Sequence, residues 1–430
     1  MHDAAPRAAS LTAPQAGYFR VAVTGLGVTA PAADDAHDFF NRLLGGESFI
    51  RLFRHPQAVD PLAIPAIHCA DFDSLAAVGR VQTATMDRYS QLGAAAAYRA
   101  WADAGLDAEG MKGDARCGVS WGTGVGGTMT FEQGYRDIMI NGRDRVPPLS
   151  VVLAMNNACA SQIAIRLGLG SACTTYSVAC ASSAVAVGDA FERIRQGRDK
   201  IVIAGGSEAP LSEAVIRAWD AMRVLAPGDE ETAPAACRPF HPRRAGLVLG
   251  EGGAALILEE WSHAVERGAK IYAEVVGYGS SCDNTHLVKP DAQGQVRAID
   301  AAMRQGGLSA ADIGYVNAHG TATREGDPAE IAALREVFGE HAAQLPVSAT
   351  KAAHGHLLGA TGAIEALITV LSLYKQAIPH TQQLETPADD CFGVRHIMGE
   401  ALRTTNLRAA LSNSFAFGGS NAVLAFRQAR

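Results

Sequence analysis

No two of the eight cysteines stand in a CxxC pair, and nowhere does the chain run through roughly 18 consecutive apolar residues, the length a membrane span needs. The first absence speaks against a zinc cage or a small disulfide scaffold. The thiols read as reduced and mostly structural, in a cytoplasmic protein. The second leaves no membrane span to propose. A basic surplus is missing too: 37 Lys and Arg face 44 Asp and Glu, a formal net charge of −7. That balance argues against nucleic acid as the main partner. The opening MHDAAPRAASLTAPQAGYF lacks a continuous apolar segment. Residues 1–18 are therefore expected to form a disordered tail rather than a signal peptide. What is present is ordinary for a globular chain, 48% hydrophobic and 19% charged. The 430 residues suffice for one large domain or two fused halves. The 45 glycines announce many turns and close backbone approaches.

Strand-like and helix-like stretches alternate. FRVAVTGLGV (19–28) reads as a strand running into a glycine turn, and TMDRYSQLGAAAAYRAWADAGL (85–106) as a long Ala-rich helix. RCGVSWGTGVGG (116–127) and DKIVIAGGSEA (199–209) read as buried strands, and GLVLGEGGAALILEE (246–260) as two strands around glycines. Near residue 270 the theme restarts: YAEVVGYGSS (272–281) echoes RVAVTGLGVT (20–29), with Gly277-x-Gly279 in the place of Gly25-x-Gly27. The alternation predicts a layered α/β fold, and the echo hints at an internal duplication. Gly25-x-Gly27-x-x-Ala30 and Gly122-x-Gly124-x-x-Gly127 follow strands, as a dinucleotide fingerprint should. Pro31 directly after the first run, VPPLS after the second, and no clear acidic residue closing a following strand favour plain tight turns.

Three stretches carry chemistry. In SVACASSA (177–184), Cys180 stands among small residues where a β-rich run meets the helix-like AVAVGDAFERIRQG. A helix start offers unpaired N–H groups and partial positive charge, so the placement predicts a thiolate favoured by a lowered pKa. Close helix packing explains the same small residues. VNAHGTAT places His319 after a β-like run, and TKAAHGHLLGATGAIEA places His354 and His356 two apart, between Lys351 and Glu365. Taken alone, each histidine reads more readily as a satisfied structural residue than as a catalyst. No nearby carboxylate or thiol completes a ligand set around His354-x-His356, so no metal is expected. In NSFAFGGSN, Gly418 and Gly419 let a backbone N–H come close to a ligand. A thiol, two histidines and a backbone donor together suit acyl transfer through a thioester.

From about residue 19 to 427, and in order, VAVTGLGV, GTGVGG, VACASS, IVIAGGSEA, RPF, GLVLGEGGAALILEE, VNAHGTAT, TKAAHGHLLGATGAIEA and NSFAFGGSN resemble the β-ketoacyl-acyl-carrier-protein synthases. Within that family the chain is most similar to the elongating type II enzymes and the discrete ketosynthases of polyketide and polyene pathways. The resemblance implies a thiolase-like α/β fold, two similar halves forming a five-layered αβαβα sandwich. The N-terminal half would be 19–265 and the C-terminal half 266–430. It implies a catalytic triad of Cys180, His319 and His356. Cys180 would take an acyl group from a carrier protein. The histidines would hold the thioester oxygen of a malonyl carrier as carbon dioxide leaves. Phe417 would gate the channel and, with Cys180, supply the backbone N–H groups of an oxyanion hole.

The same resemblance gives Lys351 and Glu365 a supporting role and makes Thr321 and Thr323 pantetheine contacts. Val125 and Trp219 would border the acyl channel, although Trp219 suits core or interface packing equally. Arg223 would meet the carrier protein. Substrates would ride on the phosphopantetheine of acyl carrier protein, with no further cofactor. The chain would form a homodimer or pair with a chain-length-factor-like subunit. Several positions depart from the family pattern: Val178 before Ala179-Cys180, His241 and Ala245 in RPFHPRRAG, and Val288 and Lys289 in HLVKPD. They tilt the reading from housekeeping fatty-acid synthesis toward a specialised pathway. A chain-length factor would typically lack Cys180. A thiolase would need a second cysteine in a late CxG, and Cys391-Phe392-Gly393 has the letters but sits in PADDCFGVRH.

Overall fold

The computed structural model describes residues 17–31, 33–106 and 115–429. Eleven strands build the main sheet. Five precede residue 265: β1 (Val21–Thr29), β2 (Cys117–Gly122), β3 (Cys173–Tyr176), β4 (Ile201–Glu208) and β5 (Gly252–Glu260). Six follow: β6 (Ala273–Cys282), β7 (Ile313–Asn317), β8 (Pro346–Ser348), β9 (Arg395–His396), β10 (Ala409–Ala416) and β11 (Ser420–Gln428). Their order across the sheet is β9-β8-β7-β10-β11-β6-β1-β5-β4-β2-β3.

Apart from the short β9, the two sides read alike. The N-terminal side runs β3-β2-β4-β5-β1 and the C-terminal side β8-β7-β10-β11-β6, the same permutation of chain order. Each has two parallel pairings followed by two antiparallel ones. β1 and β6 join the halves antiparallel, with Val21 opposite Val275, Ala22 opposite Glu274 and Val23 opposite Ala273. Ala22 and Glu274 hold equivalent places, so a local two-fold axis passes between them.

Six helices complete the layers: α1 (Arg88–Asp103), α2 (Ala158–Leu167), α3 (Ser182–Arg195), α4 (Ala292–Gly306), α5 (Gly326–Phe338) and α6 (Thr361–Lys375). α1 and α2 cover one outer face, and α4 with α5 beside it covers the other. α3 and α6 lie between, touching strands of both halves. This is the five-layered αβαβα sandwich of a thiolase-like fold. The segment Leu358–Lys375 is long and apolar enough to cross a membrane, but 89% of it is buried inside the fold, where α6 forms the middle layer.

The repeated GxG has one physical cause. A Cβ on Gly25 would lie 2.2 Å from the Ala100 carbonyl oxygen, and one on Gly27 2.0 Å from that of Ala96, both in α1. In the second half, a Cβ on Gly277 would meet the Ala302 oxygen at 2.1 Å and one on Gly279 the Ala298 oxygen at 2.0 Å, both in α4. The ladder is irregular beside the first glycine of each pair. Each outer helix therefore lies directly on its strand, and only a missing side chain allows it. The Gly25 run is a packing seam. The Gly122 run is one as well: side chains on Gly122 and Gly127 would strike the Ser183 nitrogen at 2.3 Å and the Ala154 Cα at 2.4 Å.

Of the expected tail, residues 1–16 lie outside the described residues. Tyr18 does not fit the expectation, because its ring centroid lies 3.7 Å from the Arg195 guanidinium. Phe19 N–H also donates to the Arg195 carbonyl at 2.8 Å.

The seam generates a test. Gly25→Ala and its two-fold counterpart Gly277→Ala are each expected to cost about 3 kcal/mol by overpacking, read as a lower urea midpoint. Gly105→Ala, with nothing within 4 Å of its Cβ but a φ of +68°, is expected to cost about 1 kcal/mol.

Candidate active site

Cys180 stands between β3 and α3, on a turn held by its neighbours. Ala179 adopts φ +44°, a conformation unusual for a residue with a Cβ. Ser182 pins it: its Oγ donates to the Ala179 carbonyl at 2.7 Å and accepts from Val178 N–H at 2.8 Å. Behind the turn α3 is pressed between glycines. A Cβ on Gly362 would fall 2.6 Å from the Ala184 nitrogen, and one on Gly206 2.6 Å from the Ser183 Cβ. The small residues after Cys180 are thus fixed by packing. The backbone N–H groups of Cys180 and Phe417 both pull the thiol pKa down, and both residues line one cavity.

His319 follows β7 and His356 precedes α6. Their rings meet edge to face, centroids 5.5 Å apart at 85°. The Cys180 sulfur and one nitrogen from each ring lie within 4.8 Å of one another. Lys351, completely buried, orders this pair. Its ammonium donates to Glu365 Oε1 at 2.6 Å, to the His319 carbonyl, and to His319 Nδ1 at 3.3 Å. An ammonium has only protons to give, so Nδ1 accepts and the His319 proton sits on Nε2. His356 Nδ1 meets the Thr361 hydroxyl at 2.9 Å, and its buried Nε2 has no partner among the described residues.

Burial, then the Lys351 charge, hold both imidazoles well below their ordinary pKa, so both are neutral at pH 7. Burial raises the Glu365 carboxyl above the usual carboxylate range, against the pull of the Lys351 ammonium that it pairs with. Three clustered ligand atoms could in principle suit a metal, yet the adjacent ammonium opposes a second cation there.

A cavity of about 500 Å³ opens from these groups to the surface. Cys180, His319, His356, Phe417, Trp219, Arg223, Thr321 and Thr323 all line it. Trp219, on the helix Glu213–Ala221, stacks on Phe417 with centroids 5.8 Å apart at 21°. The Thr321 and Thr323 hydroxyls are 3.0 Å apart. Ala245, Val288 and Lys289, three of the departures from the family pattern, also line the cavity.

Val125, expected beside the acyl channel, is not among the residues lining this cavity. Its N–H donates instead to Glu208 Oε1 at 3.1 Å. His354 turns away to Thr350 Oγ1 at 3.0 Å. Cys391 is buried in the outer core beside Asp390, away from the cavity lining, so it does not supply a second thiol.

Two carboxylates escaped the sequence reading. Glu208 accepts from Gly124 N, Val125 N, Thr123 Oγ1 and Gly359 N at 2.6 to 3.1 Å. Glu330 accepts from His319 N and Gly320 N, both at 2.8 Å. An acid closing the apolar strand IVIAGGSE was the available signal for Glu208.

Comparisons with known proteins give the family. Family models described as Beta-ketoacyl synthase, N-terminal domain, and Beta-ketoacyl synthase, C-terminal domain, match residues 19–264 and 272–385. Nodulation protein E of Rhizobium sp. (strain N33) is 37% identical over 95% of this chain and 99% of its own length. The 3-oxoacyl-[acyl-carrier-protein] synthase 2 of Staphylococcus aureus (strain N315) is 36% identical over 95% and 98%. Among solved structures, the ishigamide ketosynthase/chain length factor superposes with TM-score 0.89 at 29% identity, covering 96% of this chain and 100% of that one. AntDE:AntF, a type II PKS acyl-carrier protein in complex with its ketosynthase, superposes with TM-score 0.85 at 30% identity and the same coverage.

One expectation is overturned. The start of α3 does not leave Cys180 with a depressed pKa. Burial pushes the thiol up to about 11; Lys351 and the N–H groups of Phe417 and Cys180 pull it back only in part. The resting group at neutral pH is a thiol. Only thiolate is alkylated, so the iodoacetamide labelling rate of Cys180 is expected to rise about tenfold per pH unit from pH 7 to 9. Peptide mapping checks this. A plateau within that range would mean that the helix start outweighs burial.

Proposed function

We propose, for a chain that belongs to the beta-ketoacyl synthase family, that it is a condensing acyltransferase joining an acyl thioester to malonyl carrier protein. The observation that carries this reading is the meeting of one thiol, two neutral imidazoles and two backbone donors in a single buried cavity. The Cys180 sulfur attacks the acyl thioester carbonyl. The oxygen of the tetrahedral intermediate faces the N–H groups of Cys180 and Phe417. The carrier thiol leaves with the proton, and the acyl group stays on sulfur. Malonyl carrier then binds with its thioester oxygen toward Nε2–H of His319 and His356. Loss of carbon dioxide leaves an enolate held by these two donors, and its carbon attacks the acyl-Cys180 carbonyl. The product is longer by two carbons, and the Cys180 thiolate is released to take up a proton. The reaction requires no separate cofactor.

The cavity mouth supports acyl carrier protein as the donor. Arg223, Lys289 and Arg324 line it, and none has an ion-pair partner among the described residues. They suit the phosphate of a phosphopantetheine arm and an acidic carrier. Trp219 against Phe417 narrows the acyl side. The unusual RPFHPRRAG and HLVKPD segments lie at or beside this cavity and favour a specialised pathway. The eight free cysteines fit a cytoplasmic setting.

A second chain of the same fold is the natural partner at the far edge. Among the described residues β3 ends the sheet and pairs only with β2. Tyr135, Met139, Val151 and Ile165, exposed by 64%, 79%, 64% and 76%, come from the flanking helices. An open strand edge amid exposed apolar side chains is a surface made to be covered. Native mass spectrometry is expected to give twice the chain mass. A monomer that dimerises only with a co-expressed chain-length-factor-like subunit would mark the heterodimer.

The chemistry has a direct test. Cys180→Ala is expected to abolish acyl loading while the fold persists. His319→Ala and His356→Ala are expected to load acyl groups but lose malonyl decarboxylation by about a hundredfold or more, some 3 kcal/mol for a donor removed from a dry site. His354→Ala, outside the cavity, is the control. The assay is carbon dioxide release beside mass-spectrometric loading. Equal damage from His354→Ala and His356→Ala would defeat the assignment.

A further inference from the structure

Gln295 lies in the first turns of α4, 1% exposed, and lines the cavity that holds Cys180. Its side-chain oxygen is buried without a hydrogen-bond partner among the described residues, and its amide nitrogen bonds to none of them. The neighbouring polar groups of the same wall are engaged. Asp283 accepts from Asn421 Nδ2 at 2.6 Å and from Asp291 N at 3.0 Å. Glu330 accepts from His319 N, Gly320 N and Asn413 Nδ2. Proteins rarely leave a buried carboxamide unsatisfied, and this one belongs to a residue lining the space a substrate must cross.

A primary carboxamide offers both an acceptor and a donor. The group that answers both is a secondary amide, with its own N–H and C=O side by side. The cavity runs from the unpaired cations Arg223, Lys289 and Arg324 to the Cys180 thiol. Its ligand therefore bears an anion at one end and a thioester at the other. Phosphopantetheine has this polarity and carries two secondary amides in between. We infer that Gln295 is a positioning residue that hydrogen-bonds an amide of the phosphopantetheine arm. The inference rests on the condensing reading above and assigns that reading a new contact. Loss of one such hydrogen bond corresponds to about a fivefold loss of binding.

The test compares two small donors of one acyl chain, its pantetheine thioester and its S-ethyl thioester, which has no amide. Cys180 loading is followed by intact-protein mass spectrometry for the wild type and Gln295→Met. Met fills similar volume and has no amide. The ratio of pantetheine to S-ethyl loading efficiencies is expected to fall about fivefold, through KM. Thermal stability is expected to hold or rise, because no described residue loses a partner. An unchanged ratio would overturn the inference. So would a lowered Tm with equal loss on both donors, the signature of a structural role. A wild type that loads from neither donor would defeat the condensing reading itself, a distinct result.

Discussion

A single buried ammonium sets the chemistry of the site. Lys351 has no exposure to solvent, and neither has its partner Glu365 at 2.6 Å. A charge so placed survives only with an opposite charge and with every proton directed at an acceptor. Glu365 provides the first. The carbonyl and Nδ1 of His319 provide the rest. The consequences spread outward. The Nδ1 contact fixes which nitrogen of His319 carries hydrogen. Burial already disfavours charge on both imidazoles, and the ammonium adds to it, so both stay neutral. The same charge draws the Cys180 thiol down against its burial. Removing Glu365 would strand the ammonium and disturb all three groups together, so the network acts as a unit rather than as separable pairs.

The duplication explains why these groups meet. In each half a helix of the middle layer begins at the carboxyl end of a sheet, and the two helices start side by side. Cys180 precedes α3 and His356 precedes α6. Ala363 N–H donates to Ser183 Oγ at 2.8 Å across that junction, and the Gly362–Ala184 approach closes it. His319 and Phe417 come from strand ends of the second half. Glu208, at the end of β4 in the first half, reaches across to Gly359 N–H. The reacting groups therefore sit where two copies of one architecture face each other, and neither half alone holds the set.

This geometry also separates what was legible in the sequence from what was not. Cys180, His319, His356 and Phe417 stood in short motifs whose local backbone does most of the positioning, so their placement in one cavity followed from the motifs. The echo of Gly25-x-Gly27 in Gly277-x-Gly279 was legible because packing a helix onto a strand demands glycine at that spacing. Burial was not legible. Cys180 looked activated by its helix start, yet the dry surroundings come from loops contributed by both halves. Gln295 reads as an ordinary polar residue in AQGQVRAID. That its carboxamide has no partner depends on what the neighbouring helix and strands withhold. Val125 sits in a recognisable motif, but the carboxylate that captures its N–H lies 83 positions away.

Phe417 links substrate selection to catalysis in the proposed reaction. Its N–H serves the reacting centre, while its ring stacks on Trp219 at the cavity wall. The residues after it, Gly418 and Gly419, take φ of +85° and +73°, and Gly418 N–H is tied to the Leu287 carbonyl at 2.7 Å. Admitting a longer acyl chain by shifting this turn would withdraw a donor from the oxyanion position. Admitting it by rotating the ring alone would break the Trp219 stack and leave the donor in place. Trp219 therefore resists the second movement and the Leu287 tether the first. In the proposed reaction, then, acyl selection and oxyanion binding would both depend on one clamped turn.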